Sequence, residues 1–488
     1  MPTALDFQPL ALDLGVVALI LSVFVGDLLL GAKSGKLLGL SAGLSLFVLF
    51  CASFQLNLDG RAFGGAYVGS AFSTYLKRLF LLSGGLAMLG SLEHVSRHYP
   101  HRQTEFHLMT LCSVLGMTLL PGARDLILLI VAFELMSIPL FVLAAYAKTD
   151  TTQGPLARAP EAALKLYLVS VASTALTLFG LSWVYGMAGT TAIDRLVAAP
   201  ASPMLTAGTV LLLAGMAFKI GAVPFHFWVA DTYQGANTPF VAFLAVAPKL
   251  AGFAALALVL QRGLDASAML RPLLVLLAGA SIVLGNLWAV TQTNVKRLLA
   301  FSGISHIGLF LLAFIPGDAP ALTMLLFYGG AYVLTNVGAF LVVEAVEDDR
   351  GDCELSAFQG LVYRSPTLAF AMLVFLLSLA GIPFVIGFWG KLYIFLAAWK
   401  AGLHVLVVVG AVASVVGLFY YLQIARAMFM KTPDPGAGPV PQRLGLTFAI
   451  AVCLTGVVVL GLFPAPLLDQ AERAAATFVL GPRRLAAF

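Results

Sequence analysis

Glu134, Lys165, Lys219, Lys249 and Lys391 stand inside long apolar runs, where ionisable side chains are scarce. Glu134 lies near the middle of Leu126–Tyr146, five residues before Pro139. Lys219 stands five residues before Pro224, and Lys249 directly follows Pro248. Lys391 comes after Pro383, and Lys165 sits in the first turn or two of its run. Proline cannot donate a backbone hydrogen bond and frees the carbonyl four residues earlier. Glu134 and Lys219 are therefore each next to a freed carbonyl, of Leu135 and Ile220. Such a carbonyl can hold water or a protonated partner. Burial favours the neutral amine of a lysine, and a nearby carboxylate favours its ammonium form. A lysine whose carboxylate partner moves can thus be loaded with a proton and unloaded. His226 and His306 add side chains of the type that titrates nearest neutral pH. The chemistry on offer is proton transfer.

The magnitudes allow it. A charge at the centre of a membrane helix costs about 2.5–3.5 kcal/mol on insertion scales. A shift of one pKa unit is worth about 1.4 kcal/mol. A proton crossing about 100 mV needs about 2.3 kcal/mol. Each residue also has a plainer reading. Lys165 and Lys391 could snorkel to the headgroups. Lys249 could satisfy carbonyls freed near Pro248, and Glu134 with Lys219 could be a purely structural ion pair. His226 and His306 could be neutral, hydrogen-bonded structural histidines. His226 is expected to line the cytoplasmic half of a helix break, ahead of Asp231, Gln234 and Asn237. His94, His98, His101 and His107 have spacings that mimic a metal site. No carboxylate pattern supports one, so they read as solvated histidines of a loop at 93–107.

Composition tells what must position these groups. Apolar types make up 60% of the 488 residues, charged types 10%, and the mean hydropathy is +0.97. Soluble domains carry roughly 25% charged residues, so most of this surface must face a lipid bilayer. The net charge of +5 belongs to loops, and no basic run with interleaved aromatics suggests nucleic acid. A membrane helix needs roughly twenty apolar residues. Candidate spans are 10–31, 36–56, 72–92, 106–121, 124–146, 161–187, 204–236, 238–260, 269–290, 295–316, 320–345, 367–400, 402–430 and 443–466. The expected fold is an all-α integral membrane protein of about fourteen helices. The start, Met1–Leu12, lacks a basic region and a clear cleavage site, so the first span reads as a retained helix. Loops at 31–36, 93–105, 147–160, 291–297, 346–366 and 426–443 carry more Lys and Arg than the opposite loops. That bias places both termini outside the cytoplasm. Cys51, Cys112, Cys353 and Cys453 are scattered, which signals neither iron–sulfur nor zinc ligation.

The seventh span, 204–236, and the twelfth, 367–400, are too long for one straight crossing. Each contains an interior proline in a similar phrase, Val223-Pro224-Phe225 and Ile382-Pro383-Phe384. Both are expected to break at mid-membrane, where irregular backbone is tolerated only against protein or a watery cavity. Lying five spans apart, they run in opposite directions, as an inverted repeat requires. The division is then 1–105, a three-helix segment; 106–260, a first repeat of helices four to eight; 261–430, its inverted copy; and 431–488, a last helix and tail. The plainer alternative is that both prolines only kink packed helices.

Several phrases resemble subunit N of bacterial NADH–quinone oxidoreductase, respiratory complex I. They are Phe133-Glu134-Leu135-Met136-Ser137-Ile138-Pro139-Leu140 and Phe218-Lys219-Ile220-Gly221-Ala222-Val223-Pro224-Phe225-His226-Phe227-Trp228. Others are Val246-Ala247-Pro248-Lys249, Gln292-Thr293-Asn294-Val295-Lys296-Arg297 with Ser305-His306, and Gly381-Ile382-Pro383 with Gly387-Phe388-Trp389-Gly390-Lys391. Together they cover residues from about 106 to 430; the first hundred match poorly. The resemblance implies two inverted five-helix repeats and proton translocation driven by quinone reduction elsewhere in the complex. It pairs Glu134 with Lys219, lets Lys249 connect two half-channels, sets Lys391 at the outer exit, and puts Lys165 near the pair. It implies no cofactor on this chain; NADH, FMN, iron–sulfur clusters and quinone belong to the assembled enzyme. It also implies neighbouring membrane subunits M and K and a bacterial inner membrane. Tyr233-Gln234-Gly235-Ala236, Lys at 391 and the lack of a long lateral helix after the last span favour N over the related subunits L and M. A subunit of a cation/proton antiporter and a structural scaffold remain as other classes.

Overall fold

A computed structural model describes residues 4–31, 34–149, 158–264, 267–433 and 438–480. The chain opens with α1 (Ala11–Leu30) and α2 (Gly35–Ala52), then a hairpin of β1 (Gly60–Ala62) and β2 (Tyr67–Gly69), paired antiparallel with Gly60 opposite Gly69. Next come α3 (Ala71–His98), α4 (Gln103–Leu119), α5 (Leu126–Ala144), α6 (Arg158–Ala188), α7 (Pro203–Ile220) and α8 (Phe227–Gly235). They are followed by α9 (Thr238–Leu244), α10 (Ala247–Leu256), which runs on as a π-helical turn to Gly263, α11 (Ser267–Val290), α12 (Val295–Phe314) and α13 (Ala319–Arg350). The chain then forms α14 (Leu361–Arg364), α15 (Pro366–Ala380), α16 (Ile386–Lys400), α17 (His404–Met430), α18 (Leu444–Leu462) and α19 (Ala465–Leu480).

Twelve helical stretches among the described residues are long and apolar enough to cross a membrane. Their starts follow local chemistry. Asp125, Ser202, Asn237, Asn294 and Asp318 cap α5, α7, α9, α12 and α13 by accepting from backbone N–H groups. The stretch Thr238–Gly263 and α13 are wholly buried across their most apolar windows. They form the centre of the bundle, while the outward faces of α1, α6 and α17 are apolar.

The two long spans are broken, as their prolines predict. Both breaks use the same device. α7 ends in left-handed Gly221 (φ 77°), and α15 ends in left-handed Gly381 (φ 85°). The N–H groups of Gly221 and Ala222 both bond the Ala217 carbonyl, and those of Gly381 and Ile382 both bond the Leu377 carbonyl. Only glycine enters that conformation without cost. The helix thus stops at the glycine, before the proline is reached. That alters which carbonyls matter. Phe218, rather than Ile220, has its carbonyl capped, by the Trp228 indole N–H at 3.1 Å. In α5 the helix runs through Pro139, and Ser113 Oγ donates to the Met136 carbonyl at 2.9 Å.

Five features depart from the sequence expectation. The eighth span is itself interrupted between α9 and α10, with Pro248 in the first turn of α10 beside Lys249. The segment 93–107 is mostly helix, because α3 continues to His98 and α4 starts at Gln103. His94 and His107 are buried rather than solvated, since the ends of α3 and α4 pack into the protein. After the last span the chain forms α19, an amphipathic helix that packs against α3 and α13. The hairpin of β1 and β2 adds a small strand element to an otherwise helical fold.

α4 approaches α5 closely at Gly116, where an added Cβ would lie 2.3 Å from the Met136 backbone nitrogen. Gly116→Val must push the two helices apart at the level of Glu134. Overpacking of this kind costs about 1–3 kcal/mol. The purified complex carrying it should melt several degrees below wild type; an unchanged melting temperature would contradict this packing.

Candidate functional site

α5, α6 and α7 bring Glu134 and Lys219 together. Lys219 Nζ lies 3.5 Å from Glu134 Oε1 and donates to Ser137 Oγ at 3.0 Å. Thr174 Oγ1 of α6 donates to the same Glu134 oxygen at 2.8 Å. Lys219 is largely buried and lies near the Phe133 and Phe141 rings, while Glu134 keeps partial access. A cavity of about 20 Å³ is bounded by Glu134, Thr174, Thr177 and Lys219, among others. That is room for about one water. At 3.5 Å the pair is an ion pair held apart by hydroxyls, each of which offers an alternative partner.

Lys249 lies in the first turn of α10, fully buried, and its Nζ has no hydrogen-bond partner. Its neighbours are polar or polarisable. Nζ lies 5.3 Å from the centroid of the Tyr233 ring, and both Nζ and the Tyr332 hydroxyl lie against Gly303 of α12. Gly252 of α10 abuts Ile220, so this lysine sits on the broken end of α7.

His306 is one helical turn past Gly303. Its Nδ1 meets the Tyr328 hydroxyl, and its Nε2 lies 3.1 Å from the Tyr421 hydroxyl. Tyr421 also bonds Ser302 Oγ at 2.5 Å, so Ser302, Tyr421, His306 and Tyr328 form one hydroxyl–imidazole chain. A cavity of about 10 Å³ touches His306, Ser305, Asn286, Lys391, Tyr420 and Tyr421. Lys391 is buried, and its Nζ donates to the Ala380 carbonyl at the break between α15 and α16, 3.1 Å away. This geometry is not snorkelling, because the head points to the break. Lys219, Lys249, His306 and Lys391 thus stand on α7, α10, α12 and α16, of which α10 packs on α7 and α16 on α12, while Lys249 reaches Gly303 of α12.

Lys165 and His226 lie elsewhere. Lys165 is a surface group paired with Asp231 and Glu161, both at 2.7 Å, and Asp231 also takes Arg297 at 2.6 Å. The α6 residue at the Glu134 pair is Thr174 instead. His226 stacks on Trp288, with centroids 4.7 Å apart. The sequence reading missed several groups. Tyr328, Tyr332 and Tyr421 carry no charge pattern to mark them. Asp13 and Lys77 form a buried ion pair whose lysine also holds the Pro9 carbonyl. Glu347 pairs with Lys296 at 2.7 Å, and Glu344 is buried one turn before it. A cleft of about 960 Å³ at the loops holds Arg61, Arg124, Arg195 and Arg262 with Asp125 and Asp194. Burial pulls the Arg124 guanidinium there down to about 10.

Buried lysines strung across broken helices, inside a bundle of apolar helices, define an antiporter-like membrane protein. A sequence profile described as NADH:quinone oxidoreductase/Mrp antiporter, transmembrane, matches residues 123–417. NADH-quinone oxidoreductase subunit N of Moorella thermoacetica is 38% identical, over 96% of this chain and 97% of its own length. The homologous subunit of Rhodospirillum rubrum is 36% identical over 96% of each. A chain of respiratory complex I from Thermus thermophilus, solved with bound aureothin, superposes with a TM-score of 0.81 at 32% identity. The match covers 94% of this chain and 99% of that one. A chain of the Mrp complex from Dietzia shares the fold at a TM-score of 0.86 and 22% identity, over 97% of this chain and 98% of its own. The chain belongs to the family of NADH–quinone oxidoreductase subunit N.

Lys249 gives a stability prediction. A buried amine without a hydrogen-bond partner opposes folding, and an apolar isostere removes that cost. Lys249→Met should raise the melting temperature of the purified complex, by the equivalent of about 1–3 kcal/mol. A lower melting temperature would mean that Lys249 holds the fold together.

Proposed function

We propose that this chain is a proton-translocating membrane subunit of NADH–quinone oxidoreductase, with Glu134, Lys219, Lys249, His306 and Lys391 carrying the proton. The observation that carries the reading is the Glu134–Lys219 pair: an ion pair inside the bundle, flanked by hydroxyls and with space for water. When Glu134 turns away from Lys219, Lys219 loses its countercharge and its proton becomes easier to release. When Glu134 returns, Lys219 is reloaded. Lys249 links the two helix breaks, because it has neighbours on both sides and a fixed partner on neither. His306 then passes the proton along its tyrosine contacts toward Lys391. Lys165, with Asp231 and Arg297, forms a polar mouth at the cytoplasmic end of α6 and α8, with His226 beside it.

Residues 106–260 and 261–430 act as two inverted units, each contributing one helix broken at a left-handed glycine before a proline. With α4 and the α15–α16 pair counted as crossings, the chain crosses the bacterial inner membrane fourteen times, with both termini on the outer side. The driving chemistry belongs to other chains of the enzyme, which hold NADH, FMN, the iron–sulfur clusters and quinone. The cysteines of this chain are free, and no two of them are near neighbours in sequence. Antiporter-like subunit M and small subunit K are the expected membrane neighbours.

Two measurements test this on the assembled complex in proteoliposomes. Lys219→Ala should lower NADH-driven proton pumping by about an order of magnitude or more, given what positioned proton-transfer groups contribute. Undiminished pumping would leave only a scaffold role. Glu134→Ala should impair pumping, whereas Glu134→Asp should retain part of it. Equal rates in the two variants would remove the carboxylate from the mechanism.

A further inference from the structure

Sequence spacing offers His94 and His98 no carboxylate, but the fold supplies one from the far end of α13. His94 Nδ1 lies 3.2 Å from Asp348 Oδ1, and His98 Nε2 lies 3.5 Å from the same oxygen. One ligand atom from each of the three residues falls within 4.8 Å of the others. Zinc binds imidazole and carboxylate at about 2.0–2.2 Å in a tetrahedron, whose edges are then about 3.3 Å. The His94 and Asp348 side chains are almost wholly buried.

The lone pairs make the case. His98 Nδ1 lies 3.1 Å from the His94 carbonyl, which can only accept, so Nδ1 carries the proton. In neutral His98 the Nε2 lone pair then points at a carboxylate oxygen, which is also an acceptor. Asp348 Oδ1 has no hydrogen-bond partner, and neither does either nitrogen of His94. A ring N–H of His94 can meet the carboxylate, but the His98 Nε2 lone pair then still faces a carboxylate oxygen, and two buried acceptors so placed are costly. A cation at their centre satisfies all three. The other carboxylate oxygen is already fixed: Asp348 Oδ2 is held by Arg97 at 3.0 Å and by Arg443, so Oδ1 must face the imidazoles. The two guanidiniums oppose a cation, and Glu93 and Glu347, the last itself paired with Lys296, offset them in part. Two imidazoles and one carboxylate suit zinc among common divalent ions.

We propose that His94, His98 and Asp348 form a zinc site joining the end of α3 to the end of α13, with water as a fourth ligand. It lies apart from the proton route described above. The test uses the purified complex, loaded with zinc chloride and desalted against a weak chelator. Zinc is then counted per complex by mass spectrometry. Wild type should hold one zinc more than His98→Ala or Asp348→Asn, with affinity at least about 100-fold weaker in both variants. His101→Ala, at an exposed position outside the cluster, should match wild type. Equal zinc in wild type and His98→Ala would overturn the proposal, leaving a protonated His98 in an ion pair. Should the variants fail to assemble, zinc-edge X-ray absorption of the wild-type complex decides. Two imidazoles in the coordination shell uphold the site, and their absence refutes it.

Discussion

A charge inside the hydrocarbon layer needs polar neighbours, and in this chain nearly every interruption of regular helix supplies them. An unbroken helix spends its backbone groups on itself. Where α7 and α15 stop at left-handed glycines, carbonyls and N–H groups come free at membrane depth. Side chains then claim them: Trp228 takes the Phe218 carbonyl, Ser281 Oγ accepts from the Val223 N–H, Ser378 Oγ accepts from the Gly387 N–H, and Lys391 takes the Ala380 carbonyl. The breaks exist because glycine and proline are placed there, and Lys219, Lys249 and Lys391 all lie at or beside one.

The two breaks share a backbone design but treat their lysines differently. Lys219 stands before its glycine and leans on side chains, Glu134 and Ser137. Lys391 stands after its glycine, with its stem against Gly381 and its head on a backbone carbonyl. Side chains change rotamer readily; a backbone carbonyl at a fixed break does not. The first lysine therefore has a movable partner and the second an immovable one. Gly381 is doubly constrained, because its φ is left-handed and any Cβ there would meet the Lys391 stem at 2.8 Å.

Much of this was legible in the sequence, because charges and prolines inside apolar runs violate the default so plainly. Glu134, Lys219, Lys249 and Lys391 were marked by type and position, and the two breaks by Pro224 and Pro383. What stayed hidden depends on contacts distant in sequence. Tyr328 and Tyr421 look like ordinary apolar-face aromatics until His306 falls between them. His94 and His98 look like loop residues until Asp348, some 250 positions away, is placed beside them. Lys165 reads as a relay candidate or a snorkelling side chain, and in the fold its head pairs with Asp231 at the surface. The interruption before Lys249 was signalled by Pro248, but the length of that span suggested one uninterrupted helix.

The middle of the route explains why the ends are built as they are. Lys249 has no fixed anion, so nothing nearby offsets the desolvation of a charge there. His306 lies within electrostatic reach of both Lys249 and Lys391. Two unit charges about 10 Å apart repel by about 1.7 kcal/mol at an effective dielectric near 20. That is comparable to the work of moving one proton through about 100 mV. A charge arriving at one site thus makes the next site harder to hold charged, and favours passing the proton on. Only the first lysine has a countercharge that can withdraw. In the proposed route, then, direction is set at Glu134, because the later members answer mainly to one another.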